Sequence, residues 1–232
     1  MLSHFAVHFS PIFYIALPIY FIFDNAITVQ LIQAFMVAIP VIPILLLCKH
    51  HKLSNQMAIA VSLIYALYPA TAGGTFYDIH ENCFITFFLL MLAWAVEKKK
   101  NVAAVIFAIL SLMVKEDAPV YVFILGIFFL FSKKDKKRGV ILIVASAIYF
   151  AMATAIVNSY GLGIQEYRFG NLYFTQDGGL IQVFETLLAN PGYAISQIIR
   201  NTNDNSMDKI GYIISMLVPV AAVLFTTGKK YS

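Results

Sequence analysis

Tyr77-Asp78-Ile79-His80-Glu81-Asn82 opens an apolar run that continues to Val96 and stops at Glu97-Lys98-Lys99-Lys100. A polar turn, a helix-length apolar stretch and a basic stop together make the pattern of a membrane crossing whose inner end is marked by lysines. Asp78, His80 and Glu81 put three ionisable side chains into four positions at a membrane boundary. Such groups are costly there, so the hexapeptide is the leading candidate site.

The same pattern repeats on either side. Hydrophobic residues make up 60% of the 232 positions and charged residues only 12%, beyond what a soluble domain carries. The expectation is an all-α, polytopic integral membrane protein forming one membrane domain over 1–232. Apolar runs at 26–48, 56–72, 82–96, 102–114, 118–131, 140–157 and 210–227 give about seven transmembrane helices. The run 11–23 contains Pro11 and Pro18 and is too short to cross, which suits a juxtamembrane helix. The polar outer region 158–209 carries apolar residues at helical spacing from Gly179 to Arg200, broken at Asn190-Pro191, as helices on the outer face would.

Twelve of the sixteen Lys and Arg residues fall in four clusters on one predicted face, with only Glu97 and Asp135 among the acids. The positive-inside rule makes that face cytoplasmic and the hexapeptide external, in the cell (plasma) membrane. The clusters read as orientation signals, so the net charge of +4 points to no nucleic-acid partner. Cys48 and Cys83 fall at opposite ends of neighbouring runs and are expected to stay unpaired.

Three adjacent runs, 82–96, 102–114 and 118–131, would form helices of only about 20 to 22 Å at 1.5 Å per residue. With their inner ends pinned by lysines, the polar residues at their outer ends are expected to lie below the outer surface. These are Asp78, His80 and Glu81, with Lys115, Glu116 and Asp117. Polar groups at that depth need protein-enclosed, watery space, here an outward-facing cavity.

Asp78 and Glu81, three apart, would share a face of a helix start and with His80 supply a general base, a divalent-cation site, or both. The plainer reading makes one of the acids a helix N-terminal carboxylate favoured by the dipole, and His80 an interfacial side chain. Asp117 before Ala118-Pro119 also suits an N-cap, and Lys115 the end of the preceding helix. A Lys115 with a further role would pair with a phosphate or with Glu81. Arg168 beside Tyr167 is a candidate lipid-phosphate contact, because guanidinium donates in a bidentate fork.

His8-Phe9-Ser10-Pro11-Ile12, Tyr77 to Glu81, Val114-Lys115-Glu116-Asp117-Ala118, Tyr167-Arg168-Phe169-Gly170 and Asn190-Pro191 come in an order that resembles one family. It is the predicted membrane family called domain of unknown function 2079 (DUF2079). That family in turn looks like the polytopic glycosyltransferase-C (GT-C) superfamily, which uses polyprenyl-phosphate sugars on the outer side of the membrane. The resemblance implies membrane lipids and a polyprenyl-phosphate sugar as partners, and inverting sugar transfer with Asp78, His80 and Glu81 near the acceptor. It also implies His8, Lys115, Glu116, Asp117, Tyr167 and Arg168 near the substrate. In the superfamily the usual catalytic aspartate precedes the segment that His8 to Phe23 resembles. The chain is therefore expected to be a fragment or partial form of such an enzyme, with Asp78 and Glu81 positioning the acceptor or a cation. The rival expectations are a transporter and a non-catalytic lipid-binding subunit.

Overall fold

A computed structural model describes residues 8–73, 78–132, 135–160, 180–199 and 206–227. Tyr77, Tyr167 and Arg168 lie outside these described residues. Every regular element among them is helical. The chain divides into two compact units, 1–161 and 162–232.

The first unit holds α1 (Phe13–Ile22), α2 (Ala26–Ala38), α3 (Val41–His50), α4 (Asn55–Leu67) and α5 (Pro69–Gly73). A 3-10 turn (Glu81–Phe84) then leads into α6 (Ile85–Glu97), α7 (Asn101–Leu112), α8 (Ala118–Phe131) and α9 (Lys136–Ser159). The second unit holds α10 (Leu180–Ala189), α11 (Pro191–Ile199) and α12 (Ser206–Thr227). Asn190 and Pro191 separate α10 from α11, since proline cannot continue the ladder of a preceding helix.

Among the described residues, two helical stretches are long and apolar enough to cross a membrane, 26–50 and 136–159. The first is interrupted at Ile39-Pro40, between α2 and α3. The second, α9, has 24 residues and so about 36 Å of length. The central helices α6, α7 and α8 have 13, 12 and 14 residues, or about 18 to 21 Å. Large apolar side chains are exposed along most helices, among them Phe21, Leu67, Val102, Phe131 and Ile148. An apolar surface on that scale suits lipid as the solvent.

Local sequence explains the joints. Asn25 and Ser54 cap α2 and α4 through side-chain oxygens that accept from Ile27 N and Met57 N. The ends of α3 and α6 share one device: Leu53 N donates to Cys48 O, and Lys100 N to Ala95 O. In each case the residue before the donor, Lys52 or Lys99, has φ of 56°. These paired bonds reverse the chain into the next helix.

The basic loops come together at one end of this unit. His50 and His51 meet Glu97 Oε2 at 3.5 and 2.9 Å, and Arg138 donates to Asn101 Oδ1 at 2.8 Å and to Asp135 Oδ2 at 2.6 Å. At the far ends of α6 and α7 a core of Ile12, Met36, Phe84, Phe88, Val114 and Ala118 packs together. The segment before α1, the 3-10 turn and the α7–α8 link thus converge, and these three carry the charged motifs.

Candidate functional site

Three short irregular segments build the site, each positioned by the packed apolar residue beside it. Ile12, wholly buried, fixes the segment His8 to Pro11, and Ile12 N donates to Met113 O at 2.9 Å. Phe84 fixes the turn that carries Glu81. Val114 and Ala118 bracket Lys115, Glu116 and Asp117.

Lys115 and Glu81 form a buried ion pair. Nζ lies 2.9 Å from Glu81 Oε1, with the side chains 9% and 4% exposed. The ammonium approaches Oε1 as a charge rather than along a well-aligned hydrogen-bond direction, for that oxygen has no aligned donor. Burial alone would push the Glu81 carboxyl up. The Lys115 ammonium, the Glu81 backbone N–H and the nearby His80 outweigh it and hold the group below the ordinary carboxylate range. His80 Nδ1 stands 3.5 Å from Glu81 Oε2, and His80 N donates to Oε1 of the buried Gln33 at 3.0 Å.

Glu116 clamps the segment ahead of α1. Its Oε1 is 2.8 Å from His8 Nδ1, and its Oε2 accepts from Phe9 N at 2.9 Å. Glu116→Ala removes both links, which span more than a hundred residues of sequence. With bonds to a charged acceptor contributing about 1.5–3 kcal/mol each, the variant is expected to free this segment. Limited proteolysis of the purified protein should then cut between His8 and Pro11 in Glu116→Ala and leave the parent intact.

Asp117 occupies the N-cap position of α8, with Pro119 in the first turn, but its carboxylate makes no capping bond. It is solvent-exposed by surface area, and its neighbours desolvate the carboxyl in part. Burial, opposed by Lys115, lifts its carboxyl above the ordinary range, and the exposure limits the lift. Ser10 is buried, and its Oγ has no hydrogen-bond partner among the described residues. A bound water or ligand atom usually satisfies such a hydroxyl.

The predicted site residues therefore separate into two layers. Glu81, Lys115 and Glu116 are buried in protein, and His8 is mostly covered, whereas Asp78, His80 and Asp117 reach the surface. The expectation that Asp78 and Glu81 share a face of one helix start is corrected. Helical structure begins only at Glu81, Asp78 lies in the bend before it, and one carboxylate is exposed where the other is buried. Nor do these residues suit a divalent cation. Glu81 already faces an ammonium, and among the described residues no group of three or more His, Cys, Asp or Glu gathers to hold a metal.

Sequence reasoning missed Gln33, Ser10 and an apolar groove. An apolar groove of about 540 Å³ runs between α1, α2 and α6, walled by Ile15, Ile19, Ile32, Phe35, Phe84 and Phe88. Phe84 belongs to the same turn as Glu81, and Ile32 precedes Gln33. A second cavity, about 580 Å³, opens beside His80. A buried polar residue inside an apolar helix, Gln33 in α2, was the one available signal.

Comparison with known proteins gives a family match. The family profile described as a predicted membrane protein, DUF2079, aligns with residues 1–229. No curated protein and no solved structure matches the chain. The alignment covers nearly every residue, including all three segments of the charged cluster, and the chain belongs to the DUF2079 family of predicted membrane proteins.

Proposed function

We propose that the chain is the core of a membrane enzyme of the glycosyltransferase-C type that binds a polyprenyl-phosphate-linked sugar on the outer side of the membrane. One observation carries the reading: a charged cluster and an apolar groove share the turn Glu81–Phe84. That pairing suits a lipid whose phosphate meets Lys115 while its chain lies between α1, α2 and α6. Lys115 has three donors, and Glu81 meets it as a charge at 2.9 Å, which leaves donors for a phosphate oxygen. In the transfer an acceptor hydroxyl attacks the anomeric carbon, the bond to phosphate breaks, and the polyprenyl phosphate leaves. Asp117 is the carboxylate of the cluster best suited to take the hydroxyl proton, for burial raises its affinity for a proton and no capping bond occupies it. Asp78 and His80 face the acceptor side.

The same reading treats the short helices α6, α7 and α8 as spans in a seven-span arrangement with the basic loops cytoplasmic. Cysteines placed at Asp78 and at Lys99 should label from opposite sides of sealed vesicles. Labelling from one side would overturn that topology.

A second reading, a non-catalytic lipid-binding subunit or transporter, draws on another observation. Both buried acids are engaged, Glu81 by Lys115 and Glu116 by His8 and Phe9. The protein in lipid nanodiscs, given a polyprenyl-phosphate hexose and a water-soluble acceptor, separates the two. Release of free polyprenyl phosphate supports the transferase, binding without release supports the subunit, and failure to bind overturns both. Lys115→Gln should weaken lipid-phosphate binding about tenfold, the effect of one charge-assisted contact.

A further inference from the structure

We infer that the cavity beside His80 is a binding site for a neutral, polyhydroxylated ligand of sugar type, separate from the apolar groove. The cavity, of about 580 Å³, is lined by Val37 of α2, Tyr65 of α4, Tyr68, Ala70 and Thr71 around α5, and His80, Asn82, Cys83 and Thr86. Its volume falls in the range of small-molecule sites.

The chemistry of the lining selects the ligand class. Two tyrosine rings offer apolar, polarisable faces that pack on the C–H surface of a sugar ring. Asn82, Thr71, Thr86 and His80 offer amide, hydroxyl and imidazole groups that both donate and accept, as hydroxyl groups require. Among the described lining residues no Asp or Glu is present to neutralise a cation, and no Lys or Arg to meet an anion. Glu81, which adjoins His80 in sequence but does not line the cavity, pairs with Lys115. A charged ligand would lose its hydration there without compensation, whereas a neutral polyol exchanges hydrogen bonds for hydrogen bonds.

The lining is also held in place before any ligand arrives. The Tyr65 hydroxyl donates to Val37 O at 2.7 Å, tying α4 to α2 across the floor. Gln33 of α2 accepts from His80 N at 3.0 Å, and Glu81 stands 3.5 Å behind the His80 ring. Glu81 is thus a positioning residue for His80, which itself stays 57% exposed at the mouth. Groups fixed in this way lose little freedom when a ligand binds. As a site for an acceptor the cavity rests on the transferase reading; as a site for a neutral polyol it stands on its own lining.

Saturation-transfer NMR on the full chain in nanodiscs tests this with methyl glucoside, galactoside and mannoside as probes, and with choline chloride and inorganic phosphate as charged comparisons. Transfer to the ring protons of at least one hexoside is expected, with little to either charged probe. Tyr68→Ala and Asn82→Ala should weaken that binding about tenfold, roughly one hydrogen bond or ring contact, while Tyr68→Phe keeps most of it. Val105→Ala, on the exposed side of α7, should change nothing. Melting curves identify any variant that fails to fold, and the exposed Asn82 provides the arm least exposed to that risk. No transfer to any hexoside, a stronger signal from choline or phosphate, or indifference to both Tyr68→Ala and Asn82→Ala in folded protein would overturn the assignment. Loss of polyprenyl-phosphate binding with hexoside binding retained would sink the lipid reading and leave this one standing.

Discussion

Lys115→Met is expected to lower the stability of the protein by about 3–5 kcal/mol, the usual cost of leaving a buried charge without its partner. The Glu81 side chain is 4% exposed and loses the ammonium that lies 2.9 Å from it. His80, 3.5 Å from the other carboxylate oxygen and largely exposed, is left as the one nearby group that can carry positive charge among the described residues. Glu81→Gln in the Lys115→Met background removes the stranded charge, so the double variant should recover most of the loss. Chemical unfolding in detergent micelles measures all four corners of the cycle. Additive costs, with no recovery in the double variant, would show that the pair contributes nothing as a pair.

The same pair sets an acid limit. Because its folded-state carboxyl is held below the ordinary range, Glu81 contributes stability that is present above that range. The contribution is lost as the pH falls through the lowered folded value. Asp117 has the opposite sign: its lifted carboxyl favours the folded state when protonated, so its small penalty appears as the pH rises through the carboxylate range. In Lys115→Met the stranded Glu81 can relieve its burial by taking a proton. The gap between parent and variant should therefore be widest at neutral pH, begin to narrow near the reference carboxylate value of about 4.3, and close only below the lowered folded value of Glu81.

The sequence exposed the charged motifs because a carboxylate or ammonium between apolar runs has few structural reasons to be there. Asp78, His80, Glu81, Lys115, Glu116 and Asp117 were found by that contrast alone. Their partners were harder to see. Lys115 with Glu81 was one of two pairings open to it, and His8 with Glu116 joins residues 108 positions apart, which no local pattern encodes. Asp117 had the sequence of a cap and the structure gives it the position, yet the side chain makes no cap bond, a matter of rotamer and not of residue type. Helix positions followed the apolar runs closely, as with α8 at Ala118–Phe131, because a run bounded by charges fixes its own ends. The break at Pro40 and the short α5 lay hidden inside uniformly apolar runs. Hydropathy says nothing about which apolar residues face a neighbour and which face lipid, so the small residues that set helix spacing also escaped notice.

Gly139→Val, the change that tests that spacing, is expected to cost about 3 kcal/mol or more, at the upper end of overpacking losses. Helices α8 and α9 are the most extensively packed pair in the first unit, and they approach through Gly126 and Gly139. A Cβ on Gly139 would stand 2.8 Å from Gly126 O, 2.8 Å from Leu130 N and 2.9 Å from Leu130 Cα. All three are backbone atoms of α8 and cannot turn aside as a side chain can. The helices must separate, which opens the buried contacts of Val122, Phe129 and Leu142 in the adjoining core. In lipid this loss is not offset by renewed hydrophobic burial, because helix association there depends on close packing. Gly126→Ala should cost less, since its closest neighbour at 2.9 Å is the movable Ile143 Cγ1, although Gly139 O at 3.0 Å still resists. Gly211→Ala in α12 has nothing within 4 Å of the new methyl and should gain up to about 1 kcal/mol from helix propensity. Unfolding of the three variants side by side distinguishes contact from propensity. A Gly139→Val protein as stable as its parent would mean that α8 and α9 do not approach through these glycines, and the support beneath Lys115, Glu116 and Asp117 at the head of α8 would need another source.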